Sequence, residues 1–414
     1  MSFLEKLLSG VEVEWKVLWE VTTWDKKFNA VSREKQPNVI NYKYLLAVDL
    51  FKLEKDDGDI FLLSTGERTG WTTEELAGEN LREGEVVAIP WGKSRPLKEV
   101  IKYYNGRFVT ADNRIATSND KDMLLNKFLY YWMLNQAEVI DTFYRGAGIQ
   151  HPSMVAVLDM EIPIPPLYIQ AEIVRILDAF SAMAAELTTE LSMRKKQYNY
   201  YLDQLLSFKN NEDVEWKTLG WVGDVRMCKR ILKHQTSDVG EVPFFKIGSF
   251  GKEPDAYIPR SIFEEYKNKY NYPRVGEVLI SASGTIGRAV IFDGKDAYFQ
   301  DSNIVWIEND ESKVLNKYLF YYYQIANWSV SDGGVIKRLY NDNIKKTPIL
   351  VPYPNDCKRS LAEQARIVAV LDKFDTLINS ITDGLPKEIK LRQQQYEYYR
   401  DLLFSFPKPD VLET

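Results

Sequence analysis

A chain of 414 residues with 53 basic and 59 acidic side chains, net charge −6, is too long for one ordinary core and lacks the compositional mark of a basic nucleic-acid binder. Two cysteines, Cys228 and Cys357, without C-x-x-C spacing, exclude a cysteine-based zinc site and fit a reducing compartment; with only His151 and His234 besides, metal chemistry would rest on carboxylates alone. The longest apolar runs are of strand length, and the start MSFLEKLLSG lacks the apolar stretch of a signal peptide, so a cytoplasmic protein is expected.

In chain order, the stretch 11–165 begins with VEWKVL at Val13 and proceeds through short apolar strands and Gly/Asp turns, including GEVVAIPWG at Gly84. It ends on an aromatic helix, LNKFLYYW at Leu125, and the run IPIPPLY. The period then changes. Ile173, Leu177, Phe180, Ala184, Leu187, Leu191, Arg194, Tyr198, Tyr201 and Leu205 follow 4-3 spacing, which predicts a coiled-coil helix over 166–211, interrupted in polarity only by Arg194. A helix of about 40 residues is roughly 60 Å long.

The order then starts again. VEWKTL at Val214, GEVLISASG at Gly276 and LNKYLFYY at Leu315 lie in the stretch 212–358, and a second rod occupies 359–414. Its seam runs Ile367, Leu371, Phe374, Ile378, Ile381, Leu385, Ile389, Arg392, Tyr396, Tyr399, Leu403. The 4-4 step at Leu385, beside Gly384 and Pro386, predicts a kink or an interrupted helix.

The rods carry the strongest repeat. MRKKQYNYYLDQLLSF (Met193 to Phe208) and LRQQQYEYYRDLLFSF (Leu391 to Phe406) agree at nine of sixteen positions, and QAEIVRILDAF from Gln170 recurs as QARIVAVLDKF from Gln364. FLEKLLSG in residues 1–10 resembles the rod end YLDQLLSF, as if a circle had been cut open. The expected fold is therefore α+β: two globular α/β domains in pseudo-two-fold arrangement, separated by two long antiparallel coiled-coil helices.

This order of globular unit, QAEIVRILDAF…MRKKQYNYYLDQLLSF, second unit, QARIVAVLDKF…LRQQQYEYYRDLLFSF resembles the specificity subunit of type I restriction-modification enzymes over essentially the whole chain. The tandem AAEL-TTEL from Ala184 to Leu191 resembles the IC class, in which such a repeat in the central rod sets the unread gap of the DNA target. The resemblance implies a target recognition domain in each globular stretch, reading one half of a bipartite site in double-stranded DNA. It also implies two methyltransferase subunits docked on the rods and motor-nuclease subunits in the full complex. Catalysis, with S-adenosylmethionine, ATP and Mg²⁺, would belong to those partners, with no cofactor in this chain.

The resemblance places a glycine-containing turn near the DNA at SASGTIGR. There Gly284 and Gly287 would let the backbone approach a phosphate, and Ser283, Thr285 and Arg288 would be donors. The first unit aligns PWGKSRP at this turn, with Lys93, Ser94 and Arg95. Further candidates are Arg226, Lys229, Arg230 and Lys233 in RMCKRILKH, Lys337 and Arg338 in GGVIKR, and Arg145, Gln150 and His151 in YRGAGIQH. Arg and Lys suit guanine edges and Gln adenine edges. Taken singly, each is an ordinary surface side chain.

The charge works against a chain that binds DNA alone: 19 basic against 24 acidic side chains in 11–165, and 20 of each in 212–358. Two other readings use other residues. Asp255, Glu265 and Lys267 form the set of a Mg²⁺ nuclease, though SIFEEYKNKY reads as a helix where such a site needs a strand. Alternatively the seams and their tyrosines serve a protein scaffold that binds no DNA.

Overall fold

The computed structural model describes residues 10–208, 213–329, 338–380 and 382–408. It divides into two units, one formed by 1–186 with 389–414 and the other by 187–388. Both boundaries fall inside helices, so each unit owns a globular stretch and a piece of both rods, where the sequence suggested boundaries at 165, 211 and 358. The amino-terminal copy of the rod end, residues 1–9, lies outside the described residues.

In the first unit six strands form one sheet in the order Thr22–Trp24, Asn113–Ser118, Arg82–Pro90, Lys102–Thr110, Ile60–Leu63, Gly70–Thr72. All neighbours are antiparallel except Ile60–Leu63 with Lys102–Thr110. Val86, Val87, Ala88 and Ile89 are all buried, as a strand covered on both faces requires. In the second unit the corresponding stretch splits. A four-stranded sheet runs Gly223–Arg226, Ile304–Asn309, Val278–Ser281, Ala289–Ile291, and a three-stranded one runs Tyr257–Ile258, Val242–Phe245, Tyr298–Phe299.

Each globular stretch is closed by a two-stranded antiparallel pair between the repeated VEWK segment and the proline-rich run that precedes a rod. Glu14–Val17 pairs with Glu161–Ile164, and Val214–Thr218 with Pro348–Pro352. Proline is admissible there because a two-stranded ribbon has only edges.

The rods are helical where the seam predicted them. The central helix is Leu167–Ser207, 41 residues. The carboxy-terminal rod is interrupted as expected, Cys357–Asn379 followed by Leu385–Leu403. Gly384 lies against the carbonyls of Thr376, Leu377 and Ser380 at the end of the first segment, a place with no room for a Cβ. Pro386 then sits in the first turn of the next helix, where its missing N–H costs nothing.

Within each unit one rod segment packs on the other, antiparallel, through a phenylalanine stacked on a tyrosine. Phe180 meets Tyr399 at 5.3 Å between ring centroids in the first unit, and Tyr201 meets Phe374 at 5.4 Å in the second. By the repeat these are the same pair with the partners exchanged.

The seam drifts at its far end. Tyr198, Leu202 and Leu206 are buried while Tyr201 is exposed, because a straight helix of 3.6 residues per turn slips about 20° per heptad against a 3.5-residue pattern. Ile173, Leu177, Leu403, Phe404 and Phe406 join the core of the first unit, and Leu206, Ile367 and Leu371 that of the second.

A polar clasp repeats in both units. Gln170, fully buried, donates from Nε2 to the carbonyls of Met123 and Pro165 (both 2.8 Å) and accepts from the amide of Leu125 (2.9 Å). Gln364 accepts from Leu315 (2.9 Å) and donates to Lys313 (3.1 Å) in the same way. Two turns further along, Asp178 takes Lys127 and Tyr131, and Asp372 takes Lys317 and Tyr321. These bonds tie the aromatic helices Asn126–Asn135 and Asn316–Tyr323 to the rods and explain why Gln and Asp recur in QAEIVRILDAF and QARIVAVLDKF.

Candidate nucleic-acid interface

In each unit the structure joins two candidate loops that are far apart in sequence. In the first, Lys93 and Gln150 form an isolated antiparallel bridge, each amide donating to the other's carbonyl at 3.0 and 3.2 Å. In the second, Ser283 bridges Arg338 in the same sense, and the next amide, Leu339, donates to Ala282 at 2.8 Å. A turn leaving a central strand is thus paired with the loop that follows the aromatic helix.

In the first unit the turn begins at Trp91, immediately after Arg82–Pro90. Lys93 is nearly buried, and its ammonium is held by Asp141 (2.7 Å) and Gln150 Oε1 (3.0 Å), so it braces the turn. Arg95 is exposed and paired with Glu67 (2.5 Å) and Glu99 (3.7 Å). Glu67 belongs to a loop held by Lys102, whose ammonium bonds to the carbonyl and hydroxyl of Ser64 (2.7 and 2.9 Å) and to the Gly66 carbonyl. Burial pulls the Lys102 pKa down to about 8.

Ser94 is exposed, as is Arg145, which makes no ion pair among the described residues. His151 Nδ1 donates to the Trp91 carbonyl at 3.0 Å, which fixes the proton on that nitrogen in the neutral ring. Its ring lies 4.2 Å from that of Trp91.

In the second unit Ser283 is buried and bonded to Asn303 Oδ1 (2.6 Å), while Thr285 stands exposed at the tip. Gly284 and Gly287 have φ of +66° and +79°, the left-handed region glycine tolerates. A Cβ at Gly287 would also run into the Trp328 indole, so Trp328 packs directly against the turn. Arg288 donates from its amide to Ser281 Oγ (2.9 Å) and from Nη1 to the Phe250 carbonyl (2.9 Å). Arg338 is exposed, and Lys337 lies outside the described residues.

The basic cluster RMCKRILKH disperses. Arg226 is held by Glu308 (2.7 Å) on the neighbouring strand, away from the turn. Arg230 pairs with Asp301 (2.8 Å), two residues before the Asn303 that holds Ser283. Lys229 places its ammonium over the Tyr270 ring (5.2 Å), and Lys233 is exposed on a short 3₁₀ turn. Sequence reasoning missed Trp91, Asn303 and Trp328. An exposed tryptophan ending an apolar strand was a legible signal, whereas the other two become visible only once the chain folds.

The acidic set does not assemble. Asp255 accepts from Ser249 Oγ (2.8 Å), Lys267 faces Asp296 (3.6 Å), and Glu265 and Lys267 lie on the helix Arg260–Lys269. Among the described residues no group of three or more His, Cys, Asp and Glu side chains is placed to hold a metal ion, and no helix is long and apolar enough to cross a membrane.

The family model of the type I restriction modification DNA specificity domain matches residues 48–194 and 211–391, most of the chain and once per unit. The chain belongs to this family. Among its relatives is S.HindORF215P of Haemophilus influenzae, described as a type I restriction enzyme specificity subunit, 46% identical over 98% of each chain. The EcoR124I/EcoR124II specificity subunit of Escherichia coli is 35% identical over 100% of this chain and 99% of that one. The crystal structure of a type I restriction-modification S subunit from M. genitalium shares the fold, with a TM-score of 0.57 at 15% identity over 99% of this chain and all of that one. The chain is therefore a type I specificity subunit in family and in fold, and the nuclease and scaffold readings fall away.

Proposed function

We propose that this specificity subunit reads a bipartite target in double-stranded DNA, one half-site per unit, through the paired loops. The observation that carries the reading is the recurrence of one construction with different side chains. A turn after a central strand is bridged to the loop after the aromatic helix in both units, yet the bridging residues are Lys93 and Gln150 in one and Ser283 and Arg338 in the other, with Trp91 on the first turn and Thr285 on the second. A constant frame with variable tips is what sequence-specific reading requires.

The rods dock two copies of a methyltransferase subunit, and motor-nuclease subunits complete the assembly. S-adenosylmethionine, ATP and Mg²⁺ are used by those partners and not by this chain. Partner subunits supply the phosphate grip that the acidic balance of the first stretch denies it. Ser94, Arg145, Thr285 and Arg338 are exposed at the turns and are the polar readers. Arg95, Arg288 and Arg230 reach DNA by exchanging an internal partner for a base or phosphate, and Gln150, His151, Lys93 and Ser283 hold the turns in shape. Lys229 and Lys233 contact phosphate.

The test is reconstitution. The chain with its methyltransferase partner should bind one duplex sequence over random duplex, and the chain alone should neither cut nor methylate. Mg²⁺-dependent cleavage by the chain alone, lost in Asp255→Ala/Glu265→Ala, would overturn the proposal.

A further inference from the structure

The first unit's turn carries a large apolar side chain that no polar reading scheme uses. Trp91 is 41% exposed, yet it is not loose. Its ring rests on His151 and its carbonyl is bonded to the same imidazole (3.0 Å), while Tyr144 Oη donates to the preceding carbonyl of Pro90 at 2.7 Å. An aromatic side chain already fixed at the surface loses little freedom on binding, so the contact it makes is gained almost in full.

Trp91 walls a cleft of about 320 Å³ shared with Lys26, Lys27, Phe28, Arg114 and Met154. Lys26 (2.6 Å) and Arg114 (2.9 Å) both lean on the single carboxylate of Asp112, with the buried Asp25 3.3 Å from Lys26. Burial raises the Asp25 pKa despite the neighbouring Lys26. Lys27 is exposed and has no acidic partner among the described residues. An apolar shelf beside surplus positive charge fits an occupant that is anionic along one edge and apolar on a face. A duplex groove presents that combination where a phosphate flanks a thymine, whose C5-methyl is the apolar group on the major-groove edges of the bases.

We infer that Trp91 is a specificity-determining residue of the first half-site, packing its indole against a thymine methyl while Lys27 takes a flanking phosphate. The inference rests on the proposed reading of DNA and adds the chemistry of one base contact. In the second unit the aligned position is Ser283, turned inward onto Asn303, so the contact belongs to one half of the target only.

The test uses the full chain reconstituted with its methyltransferase subunits and the duplex target obtained by mapping methylated sites. Each thymine is replaced in turn by deoxyuridine, which lacks only the methyl. At one thymine of the first half-site the unsubstituted complex should lose about fourfold in affinity, the value of one buried methyl group. Trp91→Ala should bind the thymine and uracil duplexes equally there, and Trp91→Phe should keep most of the difference. Lys27→Ala should weaken every target alike. The deoxyuridine scan of the second half-site should be unchanged in all variants, showing that they fold. A first half-site without thymine on either strand, or a thymine–uracil difference that survives Trp91→Ala, overturns the assignment while leaving the proposed function standing. A complex that prefers no sequence at all overturns both.

Discussion

The two units agree where they grip the rods and differ where they present their turns. Gln170 and Gln364 satisfy the same backbone groups at the head of the aromatic helix, and Asp178 and Asp372 take the same Lys and Tyr. The rings of Phe180 and Tyr399, and of Phe374 and Tyr201, stack at nearly the same distance. Against this constancy the sheets are built differently, six strands in one unit and four plus three in the other. One turn carries Trp91, and the other carries two positive-φ glycines under Trp328. Repetition marks the residues that hold, and divergence marks those free to meet different bases.

The largest expected effect breaks the rod. A further Thr-Ala-Glu-Leu after Leu191 adds about 6 Å of helix and roughly 40° of rotation, since four residues overshoot a 3.6-residue turn. Methylation at the original target should vanish and reappear at a target with the same half-sites and a gap longer by about one or two base pairs, given duplex steps of roughly 3.4 Å. Sequencing of methylated sites reads this directly, and an unchanged gap would remove the rods from the spacing.

Next comes the clasp. Gln170→Leu strips the partners from two half-buried groups, the Leu125 amide and the Met123 carbonyl, and from the buried Pro165 carbonyl, and the last alone should cost about 1–3 kcal/mol of stability. Gln364→Leu should cost a similar amount, and hydrogen exchange should place each loss in the unit that carries the substitution. Unequal costs, or a loss spread over both units, would break the equivalence.

The glycines sharpen the difference between the turns. Gly287→Ala meets both a φ of +79° and the Trp328 ring and should erase discrimination in the second half-site, whereas Gly284→Asn, whose Cβ would make only an ordinary 3.5 Å contact with Ile247, should be mild. Gly92→Ala, whose Cβ would meet the branch methyl of the exposed Ile149 at 2.6 Å but needs no positive φ, should fall between them and act on the first half-site. Methylation of randomised target libraries separates the three.

The smallest effect is a pH dependence confined to the first unit. The Lys102 pKa is about 8 in the folded protein against 10.5 in the unfolded chain, so between these values the unfolded state binds more protons and stability rises with pH. Lys102→Met should flatten that rise between pH 8 and 9.5, read as a difference in thermal midpoint across the two values.

Much of this was legible in the sequence because periodicity and repetition report backbone geometry. The 4-3 seam located the central helix to within a few residues, and the 4-4 step with Gly384 and Pro386 located the interruption. The different sheets of the two units were not legible, because short strands in both stretches have the same alternating pattern and pairing is decided by contacts distant in sequence.

The candidate site was legible by segment and not by side chain. PWGKSRP and YRGAGIQH do meet, but Lys93 is turned inward onto Asp141 and Arg226 faces Glu308, because nothing local tells a basic residue which carboxylate it will find. Trp91 carries no charge and was passed over for the cations beside it.

The central claim is that each unit reads its own half-site from a shared frame. The most direct measurement is the map of methylated sites in strains carrying substitutions at one turn, Thr285→Ala with Arg338→Ala in the second unit and, separately, Ser94→Ala with Arg145→Ala in the first. The account predicts that each pair relaxes the bases of one half-site and leaves the other half and the gap unchanged. If either pair degrades both halves together, or lowers methylation at every site without changing its sequence, these turns do not read the bases.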